Sequence, residues 1–269
     1  MIIGKAISPF ALRKKINGDG GNDPDAQLFI TATGISGTNA TATNQLVLDL
    51  KSANIWTKMK AVYPFVGGTA SSQKYNLKDA RDLDAAYRLT FFGGGTFSSS
   101  GYQSNGTNAY VDTFLAPNIM ALNSIHGSVY LQQDNAANGA AFGSEVASTF
   151  ANGFYLFPKQ TTPFNCSVRI NDNTSQNTIM GNIKGLNLIT RTASNVKKYK
   201  LNTTNIFSVT TVSSAAHTES IHIAKTRNNS GYYSNLYSFA SFGDGLTDAE
   251  ALALYNAVQL FNTTLGRQV

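Results

Sequence analysis

The sequence predicts a mainly β protein in which two packed antiparallel sheets form a jelly-roll sandwich, with a small helical N-terminal portion and a C-terminal helix. Three observations support this fold class. Asn, Thr and Ser supply 78 of the 269 residues and 23 Gly join them, a composition that favours turns and short strands over a helical bundle. Charged residues make up 13%, where about 25% is usual, so the polar surface is largely uncharged. After residue 75, about ten short apolar or alternating segments follow one another between turns.

Residues 1–22 differ from the rest of the chain. They combine an apolar start with several basic residues and end in a Gly- and Asn-rich stretch that is typical of a flexible linker. An arm of this length cannot bury a core of its own. It is either a disordered terminus, which is the default interpretation, or a peptide that becomes ordered against a partner. The residues that would contact such a partner are Ile7, Phe10, Arg13, Lys14 and Lys15.

The segment 23–68 is predicted to be helical and packed on the sandwich. Asp23 can cap a helix that has Pro24 at its first position and ends at Gly34. A second helix follows, with apolar residues at a spacing of four along one face. The segment closes with a strand or extended stretch at residues 62–66, before a pair of glycines.

The sandwich is predicted to span residues 69–269. Its strands are expected at residues 86–92, 109–115, 127–132, 153–158, 165–170, 186–192, 196–201, 206–212, 220–226 and 236–242. The chain then ends in a helix, because Thr247 and Glu250 have the spacing of a capping box and are followed by apolar residues at helical spacing.

Charge and hydropathy exclude two kinds of partner. The net charge of +6 arises from a scarcity of acidic residues, and no run of five like charges occurs. Because no basic and aromatic motif is present either, nucleic acid is not an expected partner. No apolar stretch approaches the ~20 residues that a membrane span needs, so no membrane partner is expected.

A search for catalytic groups finds no complete set. Glycoside hydrolysis needs two carboxyl groups about 5 to 9.5 Å apart, whereas Glu145, Glu219 and Glu250 are scattered along the chain. The aspartates between residues 79 and 84 are predicted to form a solvated loop. The three histidines are isolated in sequence, and the single cysteine, Cys166, is predicted to be buried. The chain is therefore expected not to be an enzyme and to have neither cofactor nor metal site.

Surface recognition is what remains. A turn between the last two predicted strands contains Arg227, Asn228, Tyr232 and Tyr233, and loop aromatics with amides can stack on sugars and hydrogen-bond to them. These four residues are the glycan-binding candidates. The alternative is that one of the tyrosines packs against the edge of the sandwich.

Five stretches of the sequence also carry a resemblance to a known family. They are residues 23–34, 56–68, 74–79, 105–110 and 242–250, and the strongest is the second, WTKMKAVYPFVGG. The last, FGDGLTDAE before a Tyr-bearing helix, is typical of the end of such domains. Over about residues 23 to 269 the chain resembles structural proteins of tailed bacteriophages, particularly those of Bacteroidetes-type hosts, that carry a concanavalin A-like (LamG-type) sandwich.

The resemblance implies a non-enzymatic virion component, a fibre, spike or decoration protein, that is made in the host cytoplasm. Its partners would be capsid or tail proteins and host-surface polysaccharide, and residues 1–22 would be the virion anchor. We expect a homo-oligomer, with a trimer favoured, because fibres and spikes gain avidity from several linked sites. The alternatives are a carbohydrate-active enzyme and a free sugar-binding module on the same fold.

Overall fold

The computed structural model describes residues 21–145, 151–163, 165–226 and 231–269, and it confirms the predicted fold class. Two antiparallel sheets pack face to face as a sandwich, and helices form one further layer. The helices are α1 (Pro24–Thr33), α2 (Gly37–Ser52), α3 (Ala70–Gln73) and α4 (Asp248–Thr264). The strands are β1 (Met59–Tyr63), β2 (Thr90–Phe92), β3 (Thr96–Ser98), β4 (Gly101–Gln103), β5 (Tyr110–Asp112), β6 (Ile125–Leu131), β7 (Phe142–Ser144), β8 (Gly153–Phe157), β9 (Asn165–Asp172), β10 (Gln176–Ile179), β11 (Gly185–Ala193), β12 (Val196–Leu201), β13 (Thr204–Thr210), β14 (His222–Ile223) and β15 (Leu236–Gly243).

The larger sheet has eight strands, in the order β13-β12-β11-β6-β15-β4-β3, with β1 also paired to β15. Strand β15 pairs with β6 along one side. On its other side, β4 pairs with the first residues of β15 and β1 with the last ones. The smaller sheet has seven strands, in the order β10-β9-β8-β7-β14-β5-β2.

The main core lies between the two sheets. Strand β9 illustrates how the sequence builds it, because Cys166, Val168 and Ile170 are buried in this core while the residues between them are more exposed. A strand places successive side chains on opposite faces, so this alternation turns one face of β9 towards the larger sheet. Cys166 is buried as predicted, and burial raises the pKa of its thiol to about 11.

A second core lies on the outer face of the eight-stranded sheet, where α1, α2 and α4 cover the strands. Tyr130, Leu188 and Phe239 of the sheet meet apolar helix residues such as Leu50 and Val258 there. No helix in the described part of the chain has the length and apolar character that crossing a membrane requires.

The predicted helix ends are confirmed. The Asp23 carboxylate accepts a hydrogen bond from the amide of Asp25 at 3.0 Å, and Gly34 ends α1 with a φ of 69°. Thr247 and Glu250 form the capping box at the start of α4. Turn and cap residues therefore fixed these boundaries locally, without help from the tertiary structure.

The ten predicted strands are confirmed, but the prediction was incomplete. All ten predicted segments contain strand residues, and the structure adds β3, β4 and β7 with three residues each and β10 with four, which are too short to show a periodic pattern. The stretch predicted at residues 62–66 forms β1 slightly earlier. Because β1 pairs with β15, the segment 23–68 supplies a strand of the sandwich in addition to the helices packed on it.

A fully buried group of charges connects the two sheets. Asp172 lies at the end of β9 in the seven-stranded sheet, whereas Arg191 and Lys197 belong to β11 and β12 of the other sheet. The Asp172 carboxylate lies 2.8 Å from the Arg191 guanidinium and 3.1 Å from Lys197 Nζ, with all three side chains 0% exposed. Burial lowers the pKa of Arg191 and of Lys197, and the shared carboxylate opposes both shifts. We call these three residues the buried ion triad.

Removing the anion of the triad is expected to destabilise the fold strongly. Replacing Asp172 by Asn leaves two buried cations without a counter-charge, which we expect to lower the free energy of unfolding by about 3 to 5 kcal/mol. The measurement is urea-induced unfolding. The matched control is Asp248→Asn, because Asp248 also pairs with two lysines, Lys198 and Lys200, but its side chain is 60% exposed. That change should cost less than about 1 kcal/mol. Equal losses in the two variants would contradict a special role for the triad.

Candidate functional site

Aromatic side chains gather on the outer face of the seven-stranded sheet, the face turned away from the other sheet. Phe91 and Val111 point into the core, so their neighbours Phe92 and Tyr110 point outward. His222 points outward for the same reason, because Ile223 beside it lies in the core. These strands, β2, β5 and β14, are adjacent at one edge of the sheet.

The outward rings are in contact with one another. The rings of Phe92 and Tyr110 are stacked with their centroids 4.8 Å apart and an interplanar angle of 10°. Tyr110 lies 5.1 Å from the ring of His222 and 6.2 Å from that of Tyr232, which comes from the loop before β15. Lys225 Nζ lies over both tyrosine rings, 4.2 Å from the centroid of Tyr110 and 4.9 Å from that of Tyr232. We call these five residues the aromatic patch.

A carboxylate and a histidine border the patch. His222 Nε2 lies 3.5 Å from the carboxylate of Asp112, its cross-strand partner on β5. Burial alone would raise the pKa of Asp112, but hydrogen bonds from His222, from the Phe114 amide and from Ser220 together lower it. Asp112 is therefore held ionised beside the patch.

A second carboxyl group on this face has the opposite character. Glu145 follows β7, two residues after Gly143, and is 1% exposed. Burial raises its pKa to about 7, a shift that the nearby Thr226 hydroxyl and Arg169 guanidinium oppose. His222 of β14 pairs with Asp112 of β5 on one side and with Gly143 of β7 on the other. Asp112 and Glu145, which follows β7, therefore lie at either side of β14.

The loop before β5 fixes the position of Tyr110. The Asn105 side-chain oxygen accepts hydrogen bonds from the amides of Thr107, Asn108 and Ala109 at 2.9 to 3.1 Å. Gly93, directly after Phe92, packs against this turn with a φ of +71°, and a Cβ atom there would fall on the backbone carbonyl of Asn108. The Asn105 turn and the glycine thus fix the end of the β2–β5 pair that carries the two stacked rings.

The predicted glycan-binding residues meet different outcomes. Tyr232 is half-buried and belongs to the aromatic patch. Tyr233 is 0% exposed, lies in the core between the sheets and donates its hydroxyl to the carbonyl of Asn135 at 2.7 Å, so the alternative of a packing tyrosine applies to it. Arg227 and Asn228 lie outside the described residues, as do the predicted anchor residues Ile7, Phe10, Arg13, Lys14 and Lys15.

The sequence contained a signal for the residues that were missed. In both β2 and β5 an aromatic residue stands next to a core residue, which gives each strand an apolar outer face as well as an inner one. That pattern predicts a covered or ligand-binding outer face. The predicted solvated loop at residues 79–84 is confirmed, because its aspartates form exposed ion pairs, for example Asp79 with Arg81 and Asp84 with Arg88.

A cavity of about 830 Å³ lies elsewhere, between α1 and residues 77–81. Its charged groups already have partners within the chain, since Asp25 pairs with Lys51, Asp79 pairs with Arg81, and the Lys78 ammonium lies over the Trp56 ring at 4.1 Å. We therefore assign the candidate site to the aromatic patch, where rings and polar groups converge. Among the described residues, no three His, Cys, Asp or Glu side chains are grouped closely enough to hold a metal ion.

Comparison with known proteins places the fold in a group of sandwich domains. No family model and no curated protein matches the sequence. A Trypanosoma rangeli sialidase matches with a TM-score of 0.52 and 8% identity, over 80% of this chain and 39% of its own. A botulinum neurotoxin type C structure matches with a TM-score of 0.51 and 12% identity, over 77% of this chain and 53% of its own. Domain 4 of AbnA, a GH43 extracellular arabinanase from Geobacillus stearothermophilus, matches with a TM-score of 0.48 and 14% identity. This match covers 73% of this chain and 98% of that domain.

These identities show a shared fold. The chain spans about half the length of the neurotoxin structure and about two fifths of the sialidase. The matches correct the expectation that this chain is not an enzyme. The fold that it shares with sialidases covers 80% of this chain. That expectation relied on the scattering of the three glutamates along the sequence, which does not show how carboxyl groups from separate strands are arranged in the fold.

The glycine next to the patch offers a test of its local structure. Replacing Gly93 by Ala adds a Cβ atom against the Asn108 carbonyl at a positive φ, and we expect a loss of about 2 kcal/mol or more in the free energy of unfolding. Gly94→Ala is the control, because its Cβ would have the Asn105 side-chain amide as nearest neighbour, at 3.3 Å. Thermal and urea unfolding measure both variants. A Gly93→Ala protein as stable as the control would show that this turn does not hold the patch.

Proposed function

We propose that the chain binds glycans on the outer face of the seven-stranded sheet, at the aromatic patch. The observation that carries the proposal is the contact between Phe92, Tyr110 and Tyr232, with Phe92 40% exposed. Touching aromatic rings at a sheet edge offer flat apolar surface of the kind that packs against the C–H faces of a sugar.

Polar groups at the border of the patch suit the hydroxyl groups of a sugar. Asp112 accepts hydrogen bonds, and His222 beside it can donate or accept. A binding site that combines a flat apolar surface with a few fixed polar groups takes its affinity from the first and its orientation from the second.

The solved structures support the class of ligand. One matched sialidase structure contains sialic acid, with a TM-score of 0.50 and 7% identity. Cell entry of the matched botulinum neurotoxin type C depends on its interaction with two ganglioside molecules. Proteins that contain this fold and differ widely from this chain in sequence thus interact with glycans.

We propose further that the protein is part of a bacteriophage particle, and this part of the proposal rests on sequence resemblance. The resemblance of residues 56–68 and 242–250 to phage proteins supports a virion fibre, spike or decoration protein that displays the patch to host polysaccharide. In that setting residues 1–22 would attach the protein to the particle, and a homotrimer would multiply weak contacts.

Loss of an exposed ring should weaken glycan binding. We expect Phe92→Ala to reduce affinity about tenfold, which corresponds to about 1.4 kcal/mol, because the variant removes stacking area and leaves the core unchanged. A glycan array identifies the best ligand for the unaltered protein, and calorimetric titration with that ligand measures both proteins.

The control is Ile179→Ala. Ile179 is an apolar residue on β10, at the opposite edge of the same sheet, and is 74% exposed. Its replacement should leave affinity unchanged. Equal losses in the two variants, or no loss in Phe92→Ala, would count against the aromatic patch as the binding site.

A carbohydrate-active enzyme is the second candidate, favoured by the two carboxyl groups on this face. The pKa of Asp112 is lowered and that of Glu145 is raised to about 7, so near neutral pH one is ionised while the other retains a proton. Displacement of two carboxyl pKa values in opposite directions suits the acid and base roles of glycoside hydrolysis, which also needs the two groups about 5 to 9.5 Å apart.

Hydrolysis would have a characteristic pH profile. Release of reducing sugar from a polysaccharide that the protein binds should decline as pH rises through about 7, where Glu145 loses its proton, and should persist to below about pH 4 because Asp112 stays ionised. Glu145→Gln and Asp112→Asn should each abolish the release while binding remains. Release that survives both changes, or none from any bound polysaccharide, would reject this candidate.

A further inference from the structure

Lys225 is the buried charge of the aromatic patch. The residue is 4% exposed, and its ammonium lies between the rings of Tyr110 and Tyr232, at 4.2 and 4.9 Å from their centroids. Contact with two ring faces stabilises an ammonium group that has lost water, and it also holds the group in one position.

The rings leave the hydrogen-bonding capacity of this ammonium largely unused. A lysine head group carries three N–H donors. One of them reaches the Tyr232 hydroxyl at 3.5 Å, which is the long limit for a hydrogen bond. None of the ion pairs among the described residues includes Lys225, in contrast to the buried Lys197, which has the Asp172 carboxylate. A buried cation with neither counter-ion nor full hydrogen bonding is costly to retain.

The carboxyl groups of this sheet face are directed to other partners. Asp112 accepts a hydrogen bond from the Phe114 amide at 2.8 Å and lies beside His222. Glu145 interacts with Thr226 and Arg169. Among the described residues, the Lys225 ammonium therefore contacts two ring faces and one hydroxyl, and it has no carboxylate partner.

We infer that the glycan bound at the aromatic patch is acidic and that Lys225 receives its anionic group, most simply the carboxylate of a uronic or other acidic sugar. This inference rests on the proposed glycan binding and specifies its substrate class. The sugar ring would pack on Tyr110 or Tyr232, and a carboxylate on that ring would then lie within reach of the Lys225 ammonium. The net charge of +6 favours the approach of a polyanionic glycan.

The test uses pairs of glycans with and without an anionic group. Oligogalacturonate and its fully methyl-esterified form present the same sugar rings with free carboxylates and with neutral esters. In a second pair, 3′-sialyllactose adds one carboxylate-bearing sugar to lactose. A sulfated galactan oligosaccharide separates a requirement for carboxylate from one for any anion. Each probe is titrated calorimetrically into the full chain and into Lys225→Met, which keeps the length of the side chain but removes its charge.

We expect at least one acidic probe to bind about tenfold or more tightly than its neutral counterpart, and this preference to disappear in Lys225→Met. Lys225→Arg should retain it. Lys198→Met is the control, because Lys198 lies on the other sheet and pairs with Asp248, and it should bind as the unaltered chain does. Melting curves of the variants confirm that each is folded before its affinity is interpreted.

The results separate this inference from the proposal beneath it. If the chain binds neutral and acidic probes with equal affinity, and Phe92→Ala loses affinity for both, the glycan-binding proposal stands and the role of Lys225 is overturned. A preference for acidic probes that persists in Lys225→Met would overturn it too. Tighter binding of the sulfated probe than of either carboxylate would retain Lys225 as the anion site but replace the carboxylate by a sulfate. If none of the acidic probes binds while a neutral ligand found on the glycan array does, the acidic-glycan inference is rejected and the glycan site stands. If the array finds no ligand either, both are rejected.

Discussion

The buried ion triad is the constraint on which the arrangement of the two sheets depends. Its carboxylate comes from β9 and its two cations from β11 and β12, so the charges are compensated only when the sheets lie at one particular offset. The Arg191 guanidinium adds backbone carbonyls of Ile170, Ser194 and Thr211 as acceptors, at 2.7 to 2.8 Å. Apolar packing alone tolerates sliding of one sheet over another, whereas a buried charge without its partner is expensive.

Another buried cation, Arg267, holds separate parts of the fold together near residue 269. Arg267 donates hydrogen bonds to the carbonyls of Pro64, Phe65 and Ser238 and to the Asn262 side chain, at 2.6 to 2.9 Å. These contacts join the end of α4 to the segment after β1 and to β15. The helices are thereby fixed over the outer face of the eight-stranded sheet, and the outer face of the other sheet carries the aromatic patch.

The outer face of the seven-stranded sheet combines aromatic rings with titratable groups. The rings of the aromatic patch come from β2, β5 and the loop before β15, and the carboxyl groups beside it come from β5 and from the residue after β7. The pKa of each carboxyl group depends on how deeply the group is buried and on its hydrogen-bond donors. Asp112 retains hydrogen-bond donors that stabilise its charge, whereas Glu145 is buried to the point where desolvation dominates and its proton is retained up to about pH 7. Glycan binding needs the rings, and hydrolysis would need both carboxyl groups.

The sequence by itself determined the features that depend on neighbouring residues. Composition and alternation gave the sandwich, Asp23 and Gly34 bounded the first helix, and the pair Thr247 and Glu250 began the last one. Each of these is a local matter of turn, cap or period, and so can be recognised within about ten residues. The three-residue strands escaped recognition because they pair only when a distant strand lies beside them.

Only the tertiary structure decided the site. Phe92, Tyr110, His222, Lys225 and Tyr232 are spread over more than half of the chain, and they meet because β2, β5 and β14 are neighbours in a sheet whose order does not follow the sequence. The sequence likewise did not indicate which of Tyr232 and Tyr233 is buried in the core and which lies on the outer face. Adjacent tyrosines have the same composition and local pattern, and which one enters the core is fixed by the packing of the loop against both sheets. Contacts across the fold, unlike caps and turns, depend on residues that no local pattern links.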